Sequence, residues 1–192
     1  AADARLDARE ELMDKLRIPN ERRLIITDPE MIGLAYRKWG ERCVEHFLGD
    51  FAFAVWDEGE RTLFCARDHV GVKPFLYASN DVFFVFASEL KAIVLSDTIE
   101  TEIDPFLIRD KVLTIHDQAS KTIWKNIYRI RPANFLKLKE KNFTVSCYWD
   151  ILNRKTIKYK NNVEYIDALR DLLEKAVYTR VRTDYNIGAP LS

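Results

Sequence analysis

Gly49-Asp50-Phe51-Ala52-Phe53-Ala54-Val55-Trp56-Asp57 is the stretch whose reading decides the fold. From Phe51 to Trp56 it is aromatic and β-branched with interleaved alanine, a composition that suits a pleated strand. Glu58-Gly59-Glu60 supplies a turn, and Thr62-Leu63-Phe64-Cys65-Ala66 follows, so the spacing predicts a hairpin. Two further runs, Phe75 to Ala78 and Val82 to Ala87, bracket the turn formers Ser79-Asn80-Asp81 and predict a second hairpin. These runs are apolar on each face, and a sheet of that kind must be covered on both sides.

Upstream of the first hairpin, Asp7 followed by Glu10 has the form of a capping box. Leu12, Met13 and Leu16 then give a helical face that ends before Pro19. Thr27 and Glu30 repeat the device, Pro29 suits a first helical turn, and Met31, Ile32, Leu34, Ala35 and Trp39 keep helical spacing until Gly40. A short helix through Cys43 and Phe47 leads into the hairpin. Downstream, Ser88 opens a helical turn through Leu90, Ile93 and Val94, and Asp104-Pro105 starts another. Residues 135–149 read as two strands around Lys139-Glu140-Lys141-Asn142. The lysine-rich segment 153–162 reads as a linker, with Lys155, Lys158 and Lys160 taken as solvated. Ile166, Leu169, Leu172, Leu173, Ala176 and Val177 then trace a long amphipathic helix, and Asn186-Ile187-Gly188 reads as the start of a new strand.

Composition narrows the function. Thirty Lys and Arg balance thirty Asp and Glu, which leaves no basic excess for nucleic-acid phosphates. The longest apolar run, Val82 to Ala87, is far short of the roughly 20 residues that a membrane span requires. No charged-then-apolar leader is present, and a cytoplasmic location is expected. Cys43, Cys65 and Cys147 fit neither a disulfide framework nor a zinc cluster, and His46, His69 and His116 lie far apart, so no metal site is expected. Both ends read as cuts: the chain starts without Met in a patterned segment and stops in the apolar stretch Ile187 to Ser192.

Three motifs carry a resemblance. The 49–57 stretch, then Ala66-Arg67-Asp68-His69-Val70-Gly71-Val72-Lys73-Pro74, then Ala87-Ser88-Glu89-Leu90-Lys91-Ala92, resemble the glutaminase domain of asparagine synthetases in order and spacing. Tyr148-Trp149-Asp150 resembles the end of that domain. Gly188-Ala189-Pro190-Leu191-Ser192 resembles the strand leading into the pyrophosphate loop of the synthetase domain. The resemblance implies an α+β fold, an amino-terminal-nucleophile αββα sandwich of two antiparallel sheets with its amino-terminal strands missing. It implies a truncated class II glutamine amidotransferase domain over 1–150, with a linker and the first helix of an α/β synthetase domain over 151–192.

The chemistry implied is attack by an amino-terminal cysteine on the glutamine side-chain amide, its own α-amine serving as base, to give a thioester and ammonia. The ammonia then amidates an aspartate adenylated with ATP and magnesium in the synthetase half. The partners implied are that carboxy-terminal half and glutamine, with no nucleic acid and no membrane, and the family is compatible with a homodimer. ATP and magnesium ligands are expected after Ser192. None of Cys43, Cys65 and Cys147 stands in the nucleophile's context, so no catalytic residue is assigned and the segment alone is expected to be inactive.

The resemblance places Asp28 at the aspartate that binds the α-ammonium of glutamine; read from the residues alone, Asp28 favours a helix start beside Thr27. Asp3 and Ala4 fall at the Asn-Gly pair that donates to the oxyanion. A carboxylate offers no donor there, and losing one oxyanion donor costs about 2.7–4 kcal/mol of transition-state stabilisation. Arg67 and Asp68 read as residues that fix the geometry of a strand exit around Gly71 and Pro74. Ser88, Glu89 and Lys91 resemble the segment at the interface with the synthetase half, or simply a solvated helix start. The opening Ala2-Asp3-Ala4-Arg5-Leu6-Asp7 leans toward a second group of the superfamily, the lasso-peptide macrolactam cyclases. A third reading makes the segment a non-catalytic docking module.

Overall fold

A computed structural model of the chain describes residues 1–114, 120–153, 156–183 and 185–188. Strand β1 (Ala2–Leu6) precedes helices α1 (Arg9–Leu16), α2 (Asn20–Arg23) and α3 (Asp28–Trp39), and a 3-10 helix, Gly40–His46, follows. The two expected hairpins come next, β2 (Gly49–Asp57) with β3 (Thr62–Arg67) and β4 (Leu76–Ser79) with β5 (Phe84–Ala87). Helices α4 (Leu90–Val94) and α5 (Pro105–Val112), strands β6 (Tyr128–Arg129), β7 (Asn134–Lys139) and β8 (Asn142–Cys147), and helix α6 (Asn162–Arg180) complete the order.

Five strands form one sheet in the order β1-β2-β3-β7-β8 and three form a second, β5-β4-β6, with every pairing antiparallel. The alternation along β2 and β3 explains the layers. Phe51, Phe53, Phe64 and Ala66 point to one face and pack with Leu12, Met13, Met31, Ile32 and Ala35 of α1 and α3. Ala52, Ala54, Cys65 and Leu136 point to the other and pack with Phe75, Tyr77 and Ile130 of the second sheet and its flanks. Leu76 and Ala78 on the far side of the second sheet meet Ile93 of α4, together with Ile99 and Ile127. Helices, sheet, sheet and helix are thus stacked in that order, the two-sheet sandwich that the motifs implied.

Local signals explain most boundaries. Thr27 accepts from the Glu30 backbone N–H, and the Glu30 carboxylate accepts from the Thr27 N–H at 2.8 Å, so the capping box of α3 is complete. Asp104 caps α5 through the Phe106 and Leu107 amides, and Asn161 caps α6 through the Glu164 amide. The Asp7–Glu10 box does not form. Ala8 takes the cap position in a left-handed conformation with no side-chain bond, because Asp7 is buried and turned toward Arg180 instead.

Three expectations change further. The opening residues, expected only as a patterned segment ahead of the first helix, form strand β1, opposite β2 from Ala2–Phe53 to Leu6–Gly49. Asn186, Ile187 and Gly188 are not a strand; no described strand lies beside them to supply a ladder, and residues 189–192 lie outside the described residues. Trp56, Phe83 and Phe86 are exposed, so the apolar runs of the two hairpins are not covered on both sides along their whole length. Lys158 and Lys160 are exposed as expected, and Lys155 lies outside the described residues.

Phe64 is fully buried and touches the rings of Tyr36, Phe53 and Phe135. Phe64→Ala should therefore cost about 3–5 kcal/mol in denaturant unfolding. Val82→Ala, in the exposed turn before β5, should stay within about 0.5 kcal/mol of the parent.

Candidate functional site

Of the residues expected from the sequence, Asp28 lies at the corner where β1 ends against the start of β2. Gly49 makes the corner. Its φ is +127°, and a Cβ there would meet the Arg5 carbonyl and come within 2.9 Å of the Asp7 amide nitrogen, so only glycine lets the strands close. The Asp7 N–H then donates to the Leu48 carbonyl at 2.7 Å.

Three aspartates converge here. Asp28, the first residue of α3, does not turn back on its own helix. Its Oδ2 accepts from the Leu6 N–H at 2.9 Å, its Oδ1 pairs with the Arg9 guanidinium, and Arg182 stands 3.5 Å away. Asp50, beside Gly49, holds Arg180 through both guanidinium nitrogens, one at 2.8 Å. Asp7 faces the same arginine at 3.5 Å, and its Oδ1 has no hydrogen-bond partner among the described residues. From β1, Arg5 donates to the carbonyls of Thr179, Arg180 and Arg182 at 2.9–3.1 Å. Burial, with the nearby charge of Arg182, lowers the pKa of Arg9, whereas the bond to Asp50 raises that of Arg180. A cavity of about 760 Å³ opens beside this corner between Leu6, Arg9, Met13, Arg23, Tyr178 and Arg182.

Asp3 and Ala4 lie in the middle of β1, opposite Ala52 and Phe51. The Asp3 carboxylate is half exposed and pairs with the Lys73 ammonium at 2.8 Å. As the carboxylate of that pair, Asp3 offers acceptor oxygens.

Arg67 and Asp68 do not bind each other; each fastens the backbone of the same loop. Arg67 donates to the carbonyls of Lys73 and Gly71, both at 2.6 Å, and of Ile130 at 2.9 Å. Asp68, fully buried, accepts from the amides of Val70, Val72 and Lys73 at 2.8–3.2 Å. Gly71, at φ +74°, lies where a Cβ would fall 2.8 Å from Pro132 and 3.0 Å from the Arg67 guanidinium. The Tyr148 hydroxyl closes the loop from below by donating to the Arg67 carbonyl at 2.7 Å, and burial raises its pKa. His69 is edge-on to both Tyr148 and Trp149, which joins two motifs 80 residues apart in the chain. This loop also delivers Lys73 to Asp3.

Ser88, Glu89 and Lys91 are exposed at the start of α4, outside the aspartate corner. Cys43 and Cys65 are buried, and burial pushes each thiol up to about 12. Cys147 is exposed on β8, at the opposite edge of the sheet from β1. Among the described residues no group of three or more His, Cys, Asp or Glu could hold a metal ion, and no helix is long and apolar enough to cross a membrane.

The motif resemblance pointed to Asp28 and Asp3 but not to their partners Arg9, Arg182 and Lys73, nor to the neighbouring pair Asp50 and Arg180. These residues lie on α1, β2, the end of α6 and the segments after β3 and α6, far apart in sequence. The available signals were Asp50, a charge at the head of an apolar strand, and the arginines at and just past the end of α6.

A two-sheet sandwich built around these motifs defines an amidotransferase-type domain, and the chain belongs to that family: residues 8–149 match the glutamine amidotransferase domain. The chain is 34% identical over 185 residues to the glutamine-hydrolysing asparagine synthetase 3 of Bacillus subtilis, covering 95% of this chain and 30% of that protein. A putative glutamine-hydrolysing asparagine synthetase 2 of Methanocaldococcus jannaschii is 32% identical over 170 residues, covering 86% and 33%. The chain therefore spans about a third of the length of these curated relatives. A solved glutamine phosphoribosylpyrophosphate amidotransferase of B. subtilis, in complex with ADP and GMP, superimposes with a TM-score of 0.49 at 15% identity, covering 78% of this chain and 28% of that one.

The thiols make a direct check. Moving a thiol from about 9 to about 12 lowers its thiolate fraction on the order of a thousandfold at pH 8. Iodoacetamide at pH 8 should therefore label Cys147 within minutes in the folded protein and leave Cys43 and Cys65 unlabelled until denaturant is added, as read by peptide mass.

Proposed function

We propose that residues 1–150 are the amidotransferase portion, and residues 151–192 the beginning of the synthetase portion, of a cytoplasmic asparagine synthetase-like, ATP-dependent ligase that forms amide bonds. In the whole protein, ammonia from glutamine would amidate an aspartate adenylated with ATP and magnesium. The reading is supported by the match over 8–149 and by relatives named as glutamine-hydrolysing asparagine synthetases along nearly the whole chain. ATP and magnesium belong, in this reading, to residues outside this chain.

Within that frame, this segment does not itself hydrolyse glutamine. One observation carries the reading: the Asp28 carboxylate, which would hold an α-ammonium, is already held by the Leu6 amide and the Arg9 guanidinium. A bound amino acid would have to displace a partly buried ion pair, whose remaining arginine would be left uncompensated. The second support is chemical. Two of the three thiols are buried with raised pKa values and the third is on the far edge of the sheet.

The pairing of Asp3 with Lys73 favours a second reading of the acceptor. An acidic side chain in place of an oxyanion donor suits a superfamily member that has given up glutamine hydrolysis and uses a peptide amine, as macrolactam cyclases do. In both readings the 192-residue chain releases no ammonia. Incubated with 10 mM glutamine and assayed for ammonia, it should give no signal above buffer; sustained turnover would refute the proposal.

A further inference from the structure

We propose that the aspartate corner is a latch for the end of helix α6. Asp50, Asp7 and Asp28 bind Arg180 and Arg182, and Arg5 binds the helix's last carbonyls, so a former ligand corner becomes a joint that sets how residues 151 onward leave the sandwich. The inference deepens the reading given above and rests on it in one respect, that the corner no longer takes glutamine.

The contacts have the selectivity of a joint. Helix α6 has no buried residue along its 19 positions, so the described sandwich does not hold it by apolar packing. It is held at one end. Arg5 donates to two of its terminal carbonyls, Thr179 and Arg180, and to that of Arg182 just beyond it, Arg180 reaches Asp50 and Asp7, and Arg182 reaches Asp28. A further, looser pair joins Lys175 to Glu11 at 3.8 Å. The acids are almost fully enclosed whereas their arginine partners are about half exposed. Charge-assisted bonds in such a place are stronger and more directional than surface pairs, because water competes less for the carboxylates. The helix end also supplies what Arg5 seeks, since carbonyls at a C-terminus lack intrahelical partners and carry the negative end of the dipole.

Joint and ligand site are mutually exclusive at one atom. Oδ2 of Asp28 faces both the Leu6 amide and Arg182, while Oδ1 faces Arg9, so an ammonium group arriving at Asp28 competes with the helix end for the same carboxylate. Occupation of the corner and seating of α6 are thereby coupled with opposite sign.

Hydrogen exchange on the 192-residue chain tests the latch through Arg180→Gln, Asp50→Asn and the double variant. Arg180 is on the exposed helix end, so its replacement leaves the sandwich intact even if Asp50→Asn weakens it. Each single change should speed exchange of the amides of residues 177–183 about tenfold, with β2 and β3 unchanged, and the double should exchange no faster than the faster single. Exchange of 177–183 at the parent rate in Arg180→Gln, or additive effects in the double, would overturn the latch. A calorimetric titration of the parent chain with glutamine separates the two readings. No heat is expected, and saturable binding would overturn the reading that the corner has lost its amino acid, while the latch stands or falls on the exchange rates.

Discussion

A strand that is apolar on both faces cannot leave either face in water, and β2 and β3 are strands of that kind. Phe51, Phe53 and Phe64 need cover on one side, Ala52, Ala54 and Cys65 on the other. Each fully buried phenylalanine contributes about 1.5–3 kcal/mol relative to an exposed one, so the layers are drawn together from the centre outward. The asymmetry of the two faces also sets what covers them. Large rings meet the irregular surface of α1 and α3, while small alanines admit the second sheet closely enough for Phe75 and Tyr77 to fill the space between.

Because the central strands take up the interior, charged groups are displaced to strand ends, where they organise loops. Asp50 at the head of β2 and Arg67 with Asp68 at the tail of β3 are the clearest cases. Asp68 gathers three amides and Arg67 three carbonyls, so a loop that a sequence alone leaves undefined acquires a single path. That path places Lys73 against Asp3. A side chain two strands away therefore supplies the counter-charge of an acid in the middle of β1.

The hairpins, the capping box of α3, the proline start of α5 and the amphipathic run of α6 were legible because their causes are local. Alternation, caps and breakers act within a few residues. Strand β1 was not legible, since Ala2 to Leu6 is polar on one face and is a strand only because β2 lies beside it. The Asp7 box failed for the same reason: buried Asp7 turns to the half-exposed Arg180 of α6 instead of to the local cap. The site divided along that line too. Asp28 and Asp3 were singled out because the motif resemblance assigns them roles. Arg9, Lys73 and Arg180 were missed because a salt bridge between distant elements leaves no periodicity in a single chain.

Arg5 carries one more implication, for the order of events in folding. Helix α6 ends at Val181 without a glycine or other self-contained stop, and its terminal carbonyls are answered from 174 or more residues away. Contacts of such long reach form only after loop closure has been achieved, and loop closure grows costlier with separation. The body of the helix can therefore wind early, but its final turn must wait for β1 to seat on β2, which makes the last residues to settle report on whether the first have found their place.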